Sequence, residues 1–277
     1  MAEDGMPVTQ GEGGTVGKAL AVLDLVAGFG RPVRFAELQE RSALPKATLY
    51  RMCQTLIGQD MLSVDPETGR YALGMRLVRL AHAAWTQASL APIARPFIDA
   101  LAAETGRIVH LAQLDAGHVL YIDKRVPSKA PVMYSATGRV GPAYCTGVGK
   151  AMLAHLPPAA LEAALAEQSF TAHTPHTITD VAALRAELEE VRARGHAFDG
   201  EEHEPGIVCI AMPVLTPGGR ALGAISVTGN GTRDDLPALE AAHLGALTRA
   251  ANGAAEAARN WRFDSAAVPM PEGGGAA

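Results

Sequence analysis

The sequence predicts an α/β protein of two domains: an N-terminal winged helix-turn-helix and a C-terminal α/β domain built on a central sheet. Three observations carry this expectation. Three helical patterns and then two short strands about a Pro/Gly loop occupy the first 74 residues. The remainder alternates strand and helix patterns with no repeat at a fixed period. Charge also divides along the chain. Residues 15–80 hold nine Lys/Arg against six Asp/Glu, and residues 81–277 hold fifteen against twenty, within a net charge of −5 over 277 residues.

Residues 1–14 contain three acids, no base and no apolar period, so a disordered tail is expected there. In the first helix Val16, Leu20, Leu23 and Ala27 fall at helical spacing, and Gly28-Phe29-Gly30 with Pro32 stops it. A short second helix starts near Phe35, Leu38 and Gln39, and Ser42-Ala43-Leu44 leads into Pro45, whose fixed φ suits the first turn of a third helix. In that third helix Leu49, Met52, Cys53 and Leu56 stand at i, i+3, i+4 and i+7 and form a buried stripe that ends at Gly58. At about 100° per residue, Ala47, Arg51 and Gln54 lie opposite the stripe, Thr48, Tyr50 and Thr55 flank them, and Lys46 sits in the first turn. Met61–Val64 and Arg70–Leu73 around Asp65-Pro66-Glu67-Thr68-Gly69 make a hairpin, the wing, which completes a domain over 15–74. A linker helix over 75–89 follows, with Leu77, Leu80, Ala81 and Ala84 on one face as an expected dimer contact.

The second domain spans 90–263. Strands are expected at 108–114 and 119–122 about Asp115-Ala116-Gly117-His118, and helices at 147–155, 158–167 and Asp180 to Arg194, where Gly195 caps the end. Two strongly apolar strands, 207–214 and 221–227, are joined through Thr216-Pro217-Gly218-Gly219 and so pair antiparallel. A last helix covers 236–259, and residues 264–277 read as a second disordered tail. No G-x-G-x-x-G follows a strand, so the domain is not a dinucleotide-binding unit.

Several function classes are excluded at this stage. No apolar run reaches the ~18 residues of a spanning helix, and the start lacks the basic and apolar regions of a signal peptide, which leaves a cytoplasmic protein with no membrane partner. Cys53, Cys145 and Cys209 have neither even number nor C-x-x-C spacing. Gly149-Lys150 suggests a phosphate loop, but Tyr144 stands where a glycine is needed and Ala151 replaces the magnesium-holding hydroxyl. His173 and His176 are separated by Pro175, so no helix presents them together, and no metal or other cofactor is expected. A thiol enzyme using Cys145 or Cys209 would need a paired histidine and an oxyanion site, and the sequence fixes neither.

The outward face of the third helix has the chemistry that major-groove reading requires. Arg51 can pair bidentately with guanine and Gln54 with adenine, while Lys46 and Arg70 of the wing meet phosphates. With Thr48, Tyr50 and Thr55, these residues form the candidate contact to operator DNA.

Pro45-Lys46-Ala47-Thr48-Leu49-Tyr50-Arg51 with Leu56, then Tyr71-Ala72-Leu73-Gly74, resemble the DNA-binding half of the IclR family of bacterial transcription regulators. Gly147-Val148-Gly149-Lys150-Ala151-Met152-Leu153, Arg194-Gly195-His196-Ala197-Phe198-Asp199, Ile210-Ala211-Met212-Pro213-Val214 and Ala224-Ile225-Ser226-Val227-Thr228-Gly229 resemble its effector-binding half. Ala47 departs from the small hydroxyl residue usual there, so a DNA contact at 47 is not carried over. The resemblance implies a GAF-like effector domain that binds a small organic acid and alters DNA binding, in a homodimer or tetramer on a near-palindromic operator. It also implies effector contacts at Met133, Gly147, Val148, Asp199, Ile207, Cys209, Ser226 and Thr228.

The residues add physical reasons of their own. Thr146-Gly147-Val148-Gly149 opens a helix whose N–H groups would suit a carboxylate. Ser226 and Thr228, two apart, share one face of a strand. Because the pocket positions are small or polar, a short oxo- or hydroxy-acid (glyoxylate, pyruvate or a sugar acid) that governs a catabolic operon is the favoured reading. An aromatic acid is the alternative, with Tyr134 and Tyr144 as rings that could also reach the cavity. A thiol-dependent enzyme with an accessory winged helix ranks below both.

Overall fold

The computed structural model describes residues 14–127, 135–259 and 261. The chain divides into two units between Gln87 and Ala88. In the first, α1 (Gly14–Gly28) is followed by β1 (Val33–Arg34), α2 (Phe35–Arg41), α3 (Lys46–Gly58), β2 (Leu62–Val64) and β3 (Arg70–Leu73), and α4 (Met75–Ala88) runs to the unit boundary. β1, β3 and β2 form a three-stranded antiparallel sheet in that order. Helix-turn-helix and wing therefore stand where periodicity placed them. The two-residue β1, too short to leave a period, was not expected, and α1 begins at Gly14, inside the segment read as a tail.

Leu49, Met52, Cys53 and Leu56 of α3 are buried against Val22, Leu23 and Val26 of α1, Leu38, Leu62 and Tyr71, as the stripe required. The face of α1 differs from expectation. Leu23 is buried, but Val16 is 71% exposed and Leu20 53%, because Val22, Leu23 and Val26 form the stripe that meets α3. α1 is apolar on most of its circumference, so two stripes fit the same period and packing selects between them. In α4, Leu80, Ala81 and Ala84 are exposed within the chain and Leu77 is partly covered.

The second unit contains α5 (Ala91–Thr105), β4 (Ile108–Asp115), β5 (His118–Arg125), β6 (Val140–Gly141), α6 (Gly147–Leu153), α7 (Pro158–Ala166), α8 (Val181–Arg194), β7 (Ala197–Gly200), β8 (Ile207–Leu215), β9 (Ala221–Asn230) and α9 (Leu236–Ala257). A 3-10 turn, Arg233–Asp235, leads into α9. The strands make one antiparallel sheet, ordered β6-β5-β4-β9-β8-β7. α8 begins where Asp180 accepts the Ala183 N–H at 2.9 Å and ends at Gly195, left-handed at φ 82°, a conformation that favours a residue without Cβ. α5 carried no clear signal because Pro92 and Pro96 interrupt its pattern. Pro92 falls in its first turn, where no intrahelical N–H is needed, and Pro96 lies inside.

Antiparallel register puts directly opposed residues on one face of the sheet. Asp199 opposes Cys209, Cys209 opposes Thr228, and Ser226 opposes both Ala211 and His110. α6 covers this face and is buried along its whole length. Met212 points the other way, where the Thr248 hydroxyl of α9 reaches its sulfur at 3.2 Å, and α9 packs in turn on α5 through Gly253 and Phe97.

Candidate functional site

On α3, Lys46, Tyr50, Arg51, Gln54 and Thr55 are exposed and Thr48 is half-buried, opposite the stripe that anchors the helix. Among the described residues, neither Lys46 nor Arg51 has an ion-pair partner, so both cations stay available to an anion. Tyr50 sets its ring edge-on to Phe35 at 5.7 Å, which fixes its direction. The Thr55 hydroxyl donates to the Arg51 carbonyl at 2.9 Å, and Arg70 donates to the Pro32 carbonyl at 3.2 Å, tying the wing to the start of β1.

In the second unit the sheet face under α6 holds a cavity with an empty volume of about 420 Å³, counting its open side. Gly147, Val148, Asp199, Ile207, Cys209, Ser226 and Thr228, all singled out from sequence, line it together. Met133 and Tyr134 lie outside the described residues. Tyr144 is not among the lining residues. Its ring is buried with Phe170 and its hydroxyl donates to the Thr171 carbonyl at 2.7 Å, away from the cavity. Thr146, which opens the glycine turn, lines it too, and so do His110, Tyr121, Ser135, His203 and Glu204, which were not anticipated. His110 and Tyr121 reach it across strand pairs, and local spacing carries no trace of such pairing.

The polar floor is a hydrogen-bonded chain. Lys124, which has only donors, gives protons to the Ser135 carbonyl at 2.7 Å and hydroxyl oxygen at 3.1 Å. The Ser135 hydroxyl proton is thereby directed to His110 Nε2 at 2.8 Å. His110 Nδ1 then carries the ring proton and shares it between the Ser226 and Thr228 oxygens, each at 3.3 Å. Burial, reinforced by Lys124, pushes the His110 pKa down to about 3, so the ring is neutral and this assignment is self-consistent. With their oxygens accepting from the ring, Ser226 and Thr228 keep their own hydroxyl protons, one of which is shared between the two oxygens at 3.5 Å while the other is left for an acceptor in the cavity.

The opposite wall is acidic. Asp199 accepts the Glu202 N–H at 2.8 Å, and burial together with the neighbouring Glu202 charge raises its pKa to about 7. Burial also pushes the Cys209 and Cys145 thiols upward, leaving them protonated at neutral pH and unlike activated nucleophiles. His203 is driven down to about 4 by burial and by His173.

The glycines at 147 and 149 do something other than open a path to a ligand. A Cβ on Gly147 would stand 2.6 Å from Cys209 Sγ, and one on Gly149 would stand 2.3 Å from the Ala143 carbonyl oxygen. Both are needed for α6 to lie against β8 and its own preceding turn. Lys150, one residue on, is 1% exposed and donates to Glu202 Oε1 at 2.6 Å, a buried ion pair instead of a phosphate ligand.

Residues 15–66 match the family model described as IclR helix-turn-helix domain, and residues 82–254 match Bacterial transcriptional regulator IclR C-terminal. The chain belongs to the IclR family of bacterial transcriptional regulators. It is 33% identical to the HTH-type transcriptional regulator XynR of Escherichia coli (strain K12), across 80% of this chain and 87% of that one. It is 32% identical to the HTH-type transcriptional regulator BhcR of Paracoccus denitrificans (strain Pd 1222), across 90% and 86%. Its fold is shared with an IclR homolog from Microbacterium hydrocarbonoxydans solved with 4-hydroxybenzoate, at TM-score 0.75 and 23% identity over 89% of this chain and 99% of that one.

As an IclR-family member the chain is a ligand-responsive transcriptional regulator, with an N-terminal DNA-binding helix-turn-helix and a C-terminal effector-binding domain. The cavity under α6 lies wholly within the C-terminal match. No helix among the described residues is long and apolar enough to cross a membrane.

Proposed function

We propose that the protein is a cytoplasmic regulator of a catabolic operon, that Lys46, Thr48, Tyr50, Arg51, Gln54, Thr55 and Arg70 contact its operator, and that a short oxo- or hydroxy-acid is its effector. The observation that carries the effector reading is the His110–Ser226–Thr228 chain. It presents two hydroxyls side by side, 3.5 Å apart, whose mutual hydrogen bond an incoming carboxylate or α-oxo group can replace. Gly147, Val148, Ile207 and Cys209 leave only a small apolar volume beside those hydroxyls, which favours glyoxylate, pyruvate or a sugar acid. A protonated Asp199 adds a third donor on the facing wall and removes its repulsion of an anion. Effector binding then shifts the population of DNA-competent arrangements, because the acid has different affinity for the two states.

The exposed Val16 and Leu20 of α1 and the uncovered Leu80 of α4 support a second copy of the chain as partner. Two-fold symmetry of such a dimer, or of a tetramer built from it, calls for an operator with half-sites about one helical turn, or a multiple, apart. A second effector reading, an aromatic acid, draws on Tyr121 and His110, whose rings stand 5.4 Å apart at the cavity.

Fluorescence anisotropy of a labelled fragment from upstream of the protein's own gene tests both readings at fixed salt, with glyoxylate, pyruvate, a sugar acid and 4-hydroxybenzoate as ligands. A shift by one of the first three supports the short-acid reading. A shift by 4-hydroxybenzoate alone replaces it with the aromatic one, and no preference for the fragment over random DNA removes it as the operator.

A further inference from the structure

The end of α3 and the start of α4 are bonded directly to each other, although the wing separates them in sequence. α3 closes with a Schellman motif: the Met61 N–H returns to the Leu56 carbonyl at 2.9 Å and the Asp60 N–H to the Ile57 carbonyl at 3.0 Å, with Asp60 left-handed at φ 56°. The next carbonyls turn to α4. The Gly74 N–H donates to the Met61 carbonyl at 2.9 Å and the Arg76 N–H to the Asp60 carbonyl at 3.2 Å. The Arg76 guanidinium donates to the Gln59 carbonyl at 3.2 Å and to Gln59 Oε1 at 2.9 Å.

Each helix end thereby receives what it lacks. α3 finishes on carbonyls with no intrahelical donor, and α4 begins on N–H groups with no intrahelical acceptor. Arg76 also sets a positive charge at the negative end of the α3 dipole. The two backbones are in contact: a Cβ on Gly74 would stand 2.1 Å from the Asp60 carbonyl oxygen. Leu77 packs on the core of the winged helix, which fixes the next turn of α4 as well. Contacts spread over residues 59–61 on one side and 74–76 on the other resist both bending and rotation at the junction.

We propose that Arg76 is a positioning residue for DNA binding: it locks α4 to the end of α3, so that in a two-copy assembly the direction of α4 dictates which half-site spacing the pair of α3 helices accepts. Motion applied to α4 is then carried to α3 and not absorbed between them. The inference rests on the two-copy reading above and not on the identity of the effector.

Selection of the full chain on random-sequence DNA, followed by binding to the selected half-site repeated at spacers varied by single base pairs over one helical turn, tests it. Wild type should accept a narrow set of spacers, with affinity falling about tenfold or more outside it. Arg76→Met keeps a long side chain and loses its donors. It should flatten that difference to about threefold or less, with affinity and base preference for an isolated half-site unchanged. Arg76 is half-buried and outside the core of the winged helix, so the variant keeps its fold. Arg76→Lys, which returns charged donors, should regain most of the wild-type selectivity. The proposal is overturned if Arg76→Met keeps the wild-type spacer dependence, or if Arg76→Lys is as permissive as Arg76→Met. It is also overturned if Arg76→Met loses affinity equally at every spacing and at the isolated half-site, as a general loss of structure would cause. A wild type that binds all spacings alike refutes the two-copy reading and this inference with it, a result read without any variant.

Discussion

Gly147 and Cys209 meet so closely that a methyl group on residue 147 would stand 2.6 Å from the cysteine sulfur, at the point where α6 closes over the cavity. Gly147→Ala should therefore push α6 off β8, cost about 1–3 kcal/mol by overpacking and abolish the effector response. Cys209→Ala in the same chain should recover part of that stability, because the clashing atom is gone. Urea unfolding of both single variants and the double variant measures the coupling; strictly additive effects would show that the two residues do not compete for space.

Ser226→Ala and Thr228→Val each remove one hydroxyl donor from the cavity floor while leaving His110 its other partner. Each should weaken the effector by about 1 kcal/mol, roughly fivefold, and leave affinity for operator DNA without ligand unchanged. Anisotropy titrations with and without the acid separate the two effects.

Asp199 has its pKa raised to about 7, so the folded chain holds a proton there that the unfolded chain releases near the ordinary carboxylate range. The stability linked to that proton is present at low pH and is lost as pH rises through about 7. His110 and His203, lowered to about 3 and 4, have the opposite sign: the unfolded chain takes up their protons below about 6.5, so stability rises with pH toward that value. The overall profile mixes the two, and Asp199→Asn isolates the first. The stability difference between the variant and wild type should grow in the variant's favour from about pH 4 to about pH 7 in denaturant melts. Affinity for an anionic effector should likewise fall above about pH 7 in wild type and lose that dependence in the variant.

If Arg51 of α3 reads a base as proposed, Arg51→Ala should relax base preference at about one operator position, at ~1–3 kcal/mol there. Lys46→Ala should weaken binding to every sequence alike and lower the salt slope by about 1. Competition binding with single-base operator variants, repeated at several salt concentrations, distinguishes the two roles.

What could be read from sequence follows the range of the interactions. The buried stripe of α3, the wing and the shared face of Ser226 and Thr228 depend on contacts a few residues apart, and periodicity reports them directly. Asp199, Cys209 and Gly147 came from motif resemblance, and the register of β7, β8 and β9 brings them together. His110 was missed because its partners Ser226 and Thr228 lie 116 and 118 residues away, joined only through the β4–β9 pairing. The stripe of α1 was misjudged for a different reason: with apolar residues on several sides, pattern alone does not say which side the core will take.

The pairing of β4 with β9 places one edge of the cavity under α6 early in the domain and the other near its end. During synthesis the winged helix can complete its own small core while His110 still waits for Ser226 to leave the ribosome. A nascent or truncated chain that stops short of β9 thus holds its DNA-reading module without the means to hear a metabolite.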